Sequence, residues 1–286
     1  MDQRIIDLYD DYTHRHLDRR LFIQRAAKIL GSVAAANAAL PLLAPNYALA
    51  AKVDEEDKRL NAGPVSFAGK AGPVKGYVAR PVGTKKLPGV IVIHENRGLN
   101  PHIKDVARRV ALAGYVALAP DLMSRIGGTP ATVEEAAANF PKVDPAVEVE
   151  DLQSAADYLL ARPDASGKLG TMGFCWGGGM TLRFVQAEPR LSASSTYYGP
   201  VSVLDGVSKI KAKMLLNYAG QDANVNPKLP DLEAALKGAK VDYKLHVYPG
   251  VQHAFNNDTS AERYNEAAAK LAWDRTMALF KANLRG

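Results

Sequence analysis

Thiols are almost missing from this chain of 286 residues: Cys175 is its single cysteine. That excludes an intramolecular disulfide, so the fold must stand on a hydrophobic core, and it excludes cysteine-cluster metal sites. The histidines beyond residue 50, His94, His102, His246 and His253, show no H-E-x-x-H or comparable spacing, so no metal is expected. Aromatic residues make up only 7% of the chain, there is no Lys/Arg block, and the net charge of +6 is scattered. Nucleic acid is therefore not expected as a partner. A long apolar run is also lacking. The best candidate, residues 29–43, is interrupted by Asn37 and Pro41 and is too short and mild for a membrane span. No strand is followed by the G-x-G-x-x-G spacing of a dinucleotide loop.

What remains is an ordinary globular composition, 47% hydrophobic and 23% charged, in a length that suits one substantial core. Residues 1–50 differ from the rest. A charged segment is followed by Asp18-Arg19-Arg20-Leu21-Phe22-Ile23-Gln24, the alanine-rich stretch 29–43 and Ala48-Leu49-Ala50-Ala51. Paired arginines, a moderately apolar run and a small-x-small site predict a twin-arginine export signal, with a mature chain starting near Ala51 in the periplasm and the export machinery as partner. The alternative is an amphipathic N-terminal extension that packs on the domain or on a partner subunit. Residues 51–64 read as a polar, loosely held lead-in.

From residue 65 strands and helices alternate to the C-terminus. Segments 65–67 and 74–80 form an antiparallel hairpin at a sheet edge, and Val90-Ile91-Val92-Ile93 is a β-branched run suited to a strand buried on both faces. The pattern predicts an α/β fold with a mostly parallel central sheet and helices on both faces. In such sheets the site lies beyond the carboxyl ends of the strands.

At one of those ends stands Gly173-Phe174-Cys175-Trp176-Gly177-Gly178-Gly179, between an apolar strand at 169–172 and a helical pattern at 180–187. Small residues on either side of Cys175 allow the sharp turn of a nucleophile elbow. The helix that follows directs its N–H groups and dipole at the thiol, which favours a thiolate and a developing oxyanion. The bland alternative is a small buried hydrophobe. A thiol nucleophile needs a base and the base needs an orienter. Asp222 follows the strand at 214–218 in Ala219-Gly220-Gln221-Asp222, and His253 follows the strand at 243–248 in Tyr248-Pro249-Gly250-Val251-Gln252-His253-Ala254-Phe255. Nucleophile, acid, histidine is the chain order of α/β-hydrolases.

With these three motifs the sequence resembles the dienelactone hydrolase family, a branch of the α/β-hydrolases with cysteine in place of serine, over residues 65–284. The resemblance implies Cys175 as nucleophile, His253 as general base and acid, and Asp222 as orienter. It also implies that Glu95 touches the resting thiol and helps to ionise it when substrate binds. Glu95 carries its own warrant, since a carboxylate after a doubly buried strand needs a partner or a task, an ion pair with Arg97 being the plain alternative. The backbone N–H groups of Trp176 and Asn96 are expected to hold the oxyanion. The family holds the substrate carboxylate with arginines. Arg125 matches one of them, whereas Asn256-Asn257-Asp258 stands where the other is expected, leaving Arg97 as a possible second arm.

The reading is therefore an ester or lactone hydrolase that needs no cofactor and works through an acyl-cysteine. The rivals are a broad carboxylesterase or thioesterase on the same residues, a thiol-based redox protein, and a binding protein on a hydrolase fold.

Overall fold

In the computed structural model, residues 1–14, 17–46, 52–83 and 85–285 are described. Among these residues, eight strands form one sheet: β1 (Leu60–Gly69), β2 (Gly72–Pro81), β3 (Leu87–Ile93), β4 (Val116–Pro120), β5 (Ala165–Phe174), β6 (Leu191–Tyr197), β7 (Lys213–Gln221) and β8 (Tyr243–Gln252). They lie in the order β1-β2-β4-β3-β5-β6-β7-β8. The first two pair antiparallel, β2 pairs antiparallel with β4, and every other pairing is parallel. The expected edge hairpin and parallel sheet are therefore present, with the hairpin longer than its apolar residues suggested.

The sheet is covered on both faces because its central strands are apolar on both. Val90 and Val92 face one hydrophobic cluster with α4 (Pro101–Leu112) and α9 (Glu266–Leu284). Ile91 and Ile93 face the other, with α6 (Pro145–Ala161), α7 (Trp176–Ala187) and α8 (Leu229–Gly238). All four are fully buried, and each contributes about 1.5–3 kcal/mol on burial. A short helix, α5 (Val133–Asn139), stands on the connection between β4 and α6.

The lead-in is not loose. The Val53 N–H donates to Asp105 on α4 (2.8 Å), its carbonyl accepts from Arg108 (2.9 Å), and β1 already begins at Leu60. Two buried charges on α4 thus satisfy a backbone that composition alone marks as free.

The described residues up to 46 form three helices, α1 (Gln3–His14), α2 (Arg19–Leu30) and α3 (Val33–Leu43). Asp18 caps α2 through the Leu21 N–H, Gly31 ends it at φ 84°, and Ser32 caps α3 through the Ala35 N–H. Their small core includes Ile5, Tyr9, Phe22 and Leu43. In the twin-arginine-like stretch Arg19 and Arg20 are exposed, while Phe22 is buried against Tyr9 and Tyr12. No single described helix is long and apolar enough to cross a membrane. The expected cleavage site at Ala48-Leu49-Ala50-Ala51 lies outside the described residues.

Candidate active site

Cys175 ends β5 and opens α7 with φ 53° and ψ −122°, a backbone conformation that a side chain adopts only under strain. The glycines around it explain how the chain can turn there. A Cβ at Gly173 would overlap the Gly177 carbonyl, and one at Gly177 would overlap the His94 carbonyl at the end of β3. The turn is pinned by the Cys175 N–H to the Tyr197 carbonyl (3.0 Å), and α7 begins with the Gly179 N–H to the Cys175 carbonyl (3.1 Å). Trp176, as first residue of the helix, has an N–H that the helix itself cannot pair.

The carboxyl ends of β7 and β8 deliver the next two groups. His253 Nδ1 lies 2.6 Å from Asp222 Oδ2, and Asp222 Oδ1 accepts from the N–H groups of Val225 (3.1 Å) and Asn224 (3.3 Å). Burial works against the Asp222 charge, but the hydrogen bond and charge of His253 and the two backbone donors outweigh it and lower its pKa. Burial also opposes a charged His253. Asp222 and the Cys175 side chain, each as hydrogen-bond partner and charge, raise its pKa well above the ordinary histidine value. That arrangement can store a proton on the imidazole beside a thiolate.

The carboxyl end of β3 supplies the loop opposite. His94 is fully buried, its Nε2 accepting from the Leu122 N–H (3.0 Å) and its Nδ1 lying 2.6 Å from the Glu95 carbonyl. Burial lowers its pKa and keeps the ring neutral, as one donor and one acceptor require. Glu95 Oε2 accepts from Asn257 Nδ2 (2.8 Å), while Oε1 has no hydrogen-bond partner among the described residues. Asn257, which stands near where the second arginine was expected, is thus a ligand of Glu95. Tyr198 is held at φ 40° with its ring 5.0 Å from that of His253. Burial, then the charges of Glu95 and Cys175, raise the pKa of its hydroxyl.

Two cavities meet at the thiol. The larger, of about 400 Å³, is lined by Cys175, His253, Asn96 and Trp176, by apolar Phe140 and Val225, and by Asp10 and Thr13 of α1. The smaller, of about 20 Å³, shares Cys175, His253, Asn96 and Thr13 and adds Glu95, Arg97 and Arg263. The larger one has the size of a small-molecule site. The structure therefore brings Cys175, His253, Asp222, Glu95, Asn96, Trp176 and Arg97 together.

Arg125 is not brought with them. Its guanidinium is taken by the buried Asp151 on α6, with Nε 2.9 Å from Oδ2 and Nη2 against Oδ1. It is not among the described residues lining either cavity. This ion pair stands in place of the expected position on the substrate cavity, and an unpaired carboxylate at Asp151 would be costly. Arg97 donates from Nη2 to the Tyr9 hydroxyl (2.9 Å) and lies over its ring.

Sequence reasoning missed Asp10, Thr13 and Arg263. Thr13 takes the Asn96 side chain on its carbonyl (2.5 Å), and Asp10 Oδ1 accepts from Arg263 Nη1 (2.6 Å). The one readable signal was the helical spacing of Ile5, Leu8, Tyr9 and Tyr12, which marks an apolar face seeking a partner. Nothing singled out Arg263 among the other arginines.

The dienelactone hydrolase family model matches residues 74–284, and a YqhI-like model matches residues 1–28. A carboxymethylenebutenolidase homologue of Salmonella typhi is 32% identical over 242 residues, covering 78% of this chain and 88% of that protein. A similar homologue of Escherichia coli strain K12 is 32% identical over 247 residues, covering 80% and 90%. Among solved structures, a dienelactone hydrolase from Klebsiella pneumoniae matches with TM-score 0.72 and 32% identity, covering 77% of this chain and 98% of its own. A dienelactone hydrolase-like promiscuous phosphotriesterase from metagenomic libraries shares the fold, with TM-score 0.70, 24% identity, and coverage of 79% and 99%.

Proposed function

Because the chain belongs to the dienelactone hydrolase family and is a hydrolase of esters or lactones, we propose that it works through an acyl-cysteine intermediate on Cys175. The observation that carries the proposal is the contact of His253 with Asp222 at 2.6 Å on the wall of the cavity that also holds Cys175. The thiolate attacks the substrate carbonyl carbon, and the C–S bond forms as the carbonyl π pair moves to oxygen. The N–H groups of Trp176 and Asn96 hold that oxyanion, a donor of this kind being worth about 3 kcal/mol. Collapse expels the alkoxide, which takes the proton of His253. A water, losing a proton to His253, then attacks the acyl-cysteine and releases the acid and the thiolate. Asp222 keeps the imidazole in one tautomer and orientation throughout. Glu95, beside the thiol with one oxygen unpaired among the described residues, helps to ionise Cys175 when the site fills, the thiol proton ending on His253 so that the cycle starts from thiolate and imidazolium.

A second reading has an observation of its own. Phe140, Pro141, Val143, Trp176, Pro200 and Val225 give the larger cavity a largely apolar wall, and Arg125 is engaged elsewhere. Uncharged esters or thioesters fit that wall better than a small anionic lactone does.

Hydrolysis of p-nitrophenyl acetate and of a dienelactone by the full chain, beside Cys175→Ala, tests both. Turnover should fall on the order of 10³-fold or more in the variant. Activity unchanged in Cys175→Ala sinks the mechanism, and turnover of the neutral ester alone favours the second reading. As a further proposal, residues 1–50 act as a twin-arginine export signal that is removed near Ala51; the alternative, an N-terminal extension retained on the domain, is supported by Asp10 and Thr13 lining the cavity, and the intact mass of the mature protein tells the two apart.

A further inference from the structure

Helix α1 reaches the site with charge as well as bulk. Asp10 lines the larger cavity, its partner Arg263 lines the smaller one, and the two cavities share Cys175 and His253. Arg263 is itself buried, with Nε on the Ser260 hydroxyl (3.0 Å), Nη1 on Asp10 (2.6 Å) and the Tyr9 ring 5.4 Å from its Cζ. Burial works against its charge, and the charge and hydrogen bond of Asp10, with the charge of Glu95, outweigh it and raise its pKa. A guanidinium placed this near a thiol nucleophile would attract an anionic substrate group, because charges on a buried wall are weakly screened. Asp10 is already paired with that cation, on a helix that the dienelactone hydrolase match at residues 74–284 does not include.

We propose that Asp10 is a specificity-determining residue: by neutralising Arg263 it makes the cavity at Cys175 favour esters and lactones with uncharged acyl groups over anionic ones. The inference rests on Cys175 being the reacting atom of the proposed function. A carboxylate entering near Arg263 meets a cation already paired with Asp10, and the charge of Glu95, which lines the same cavity. An uncharged acyl group meets neither penalty and keeps the apolar lining. The buried pair also couples α1 to the segment after β8, so the same contact that sets the charge also fixes the wall.

The single cysteine allows a test that does not depend on turnover. Iodoacetate and iodoacetamide are nearly isosteric alkylating agents, one anionic and one neutral, and in this chain any alkylated thiol is Cys175. The ratio of their rate constants cancels changes in thiol reactivity and reads the charge of the wall. In the full-length protein at low salt, Asp10→Asn should raise the iodoacetate-to-iodoacetamide ratio about fivefold or more, and Asp10→Glu should hold it within about twofold of wild type. Arg263→Gln should lower it about as much, which keeps the test open if Asp10→Asn does not fold by circular dichroism. A ratio unmoved in a folded Asp10→Asn protein, or moved equally in Asp10→Glu, overturns the inference. Because alkylation and not hydrolysis is read, failure of the acyl-cysteine mechanism and failure of the charge gate are told apart.

Discussion

The sheet domain and the N-terminal helices are held by different forces. The sheet is fixed by apolar burial on both faces, with Val90, Ile91, Val92 and Ile93 wholly out of water. The helical unit has a core built around Tyr9 and Phe22, and its contacts with the domain are largely polar. Gln3 meets Gln252 (2.7 Å), Tyr9 meets Arg97, Asp10 meets Arg263, and the Asn46 N–H meets the Thr259 carbonyl (2.8 Å). Cys175, His253 and Asp222 therefore sit on the rigid part, and one wall of the cavity is borne by the part attached through hydrogen bonds. Rigid placement serves bond making, where an ångström matters. Polar attachment is specific in geometry yet contributes little net stability per contact.

The largest effect expected on the rigid side is that of Asp222→Asn, which should lower kcat about 10²- to 10⁴-fold by leaving His253 without its orienter. The same variant has a signature in stability. His253 holds its proton more tightly folded than unfolded, so this contribution is complete below the unfolded histidine value near ~6.5 and is lost as pH rises through the folded value. Asp222, with its lowered pKa, is already charged at that point. Urea melts of wild type and Asp222→Asn should differ most near about pH 6 and converge in alkali, and a gap that widens with pH would contradict the pairing.

On the other side of the comparison, Phe22→Ala empties the helical core and should destabilise that unit by about 3–5 kcal/mol. Hydrogen exchange is the check. Amides of α1 and α2 should lose protection while those of β5 keep it, and equal loss in both would make the two regions one cooperative body. The smallest effect on catalysis is expected from Arg125→Gln. It should change kcat/KM for neutral and anionic esters less than about twofold while costing about 3 kcal/mol of stability, since Asp151 is left buried without its cation. A selective rise in KM for the anionic ester would return Arg125 to the site.

Elements with a strong local signature were legible in the sequence. The β-branched run of β3, the glycines around Cys175, and the strand ends preceding Asp222 and His253 each satisfy a local rule that the tertiary fold then repeats. Glu95, Asn96 and Trp176 were legible because they neighbour such elements in the chain. What escaped was made by contacts between distant segments. Asp10 and Arg263 are 253 residues apart, and no spacing rule joins them. The partner of Arg125 escaped for the complementary reason: the buried carboxylate that pairs with it, Asp151, comes from α6, and no local pattern marks that acid as buried. The lead-in at 51–64 was read from polarity alone, while Asp105 and Arg108, the charges that tie it down, lie on a helix whose exposed and buried faces both carry charge.

The location of Asp10 on α1 limits what kinship can transmit. A relative aligned over residues 74–284 is matched over the stretch that holds the turn, Cys175, Asp222 and His253 of this chain. It does not thereby inherit the wall that carries Asp10, and its preferred substrate is no guide to the one used here. On the role proposed for Asp10, selectivity is free to drift by exchange of the leading helix while the residues at Cys175 stay fixed. A shortened recombinant form that begins at the sheet would keep Cys175 and lose Asp10.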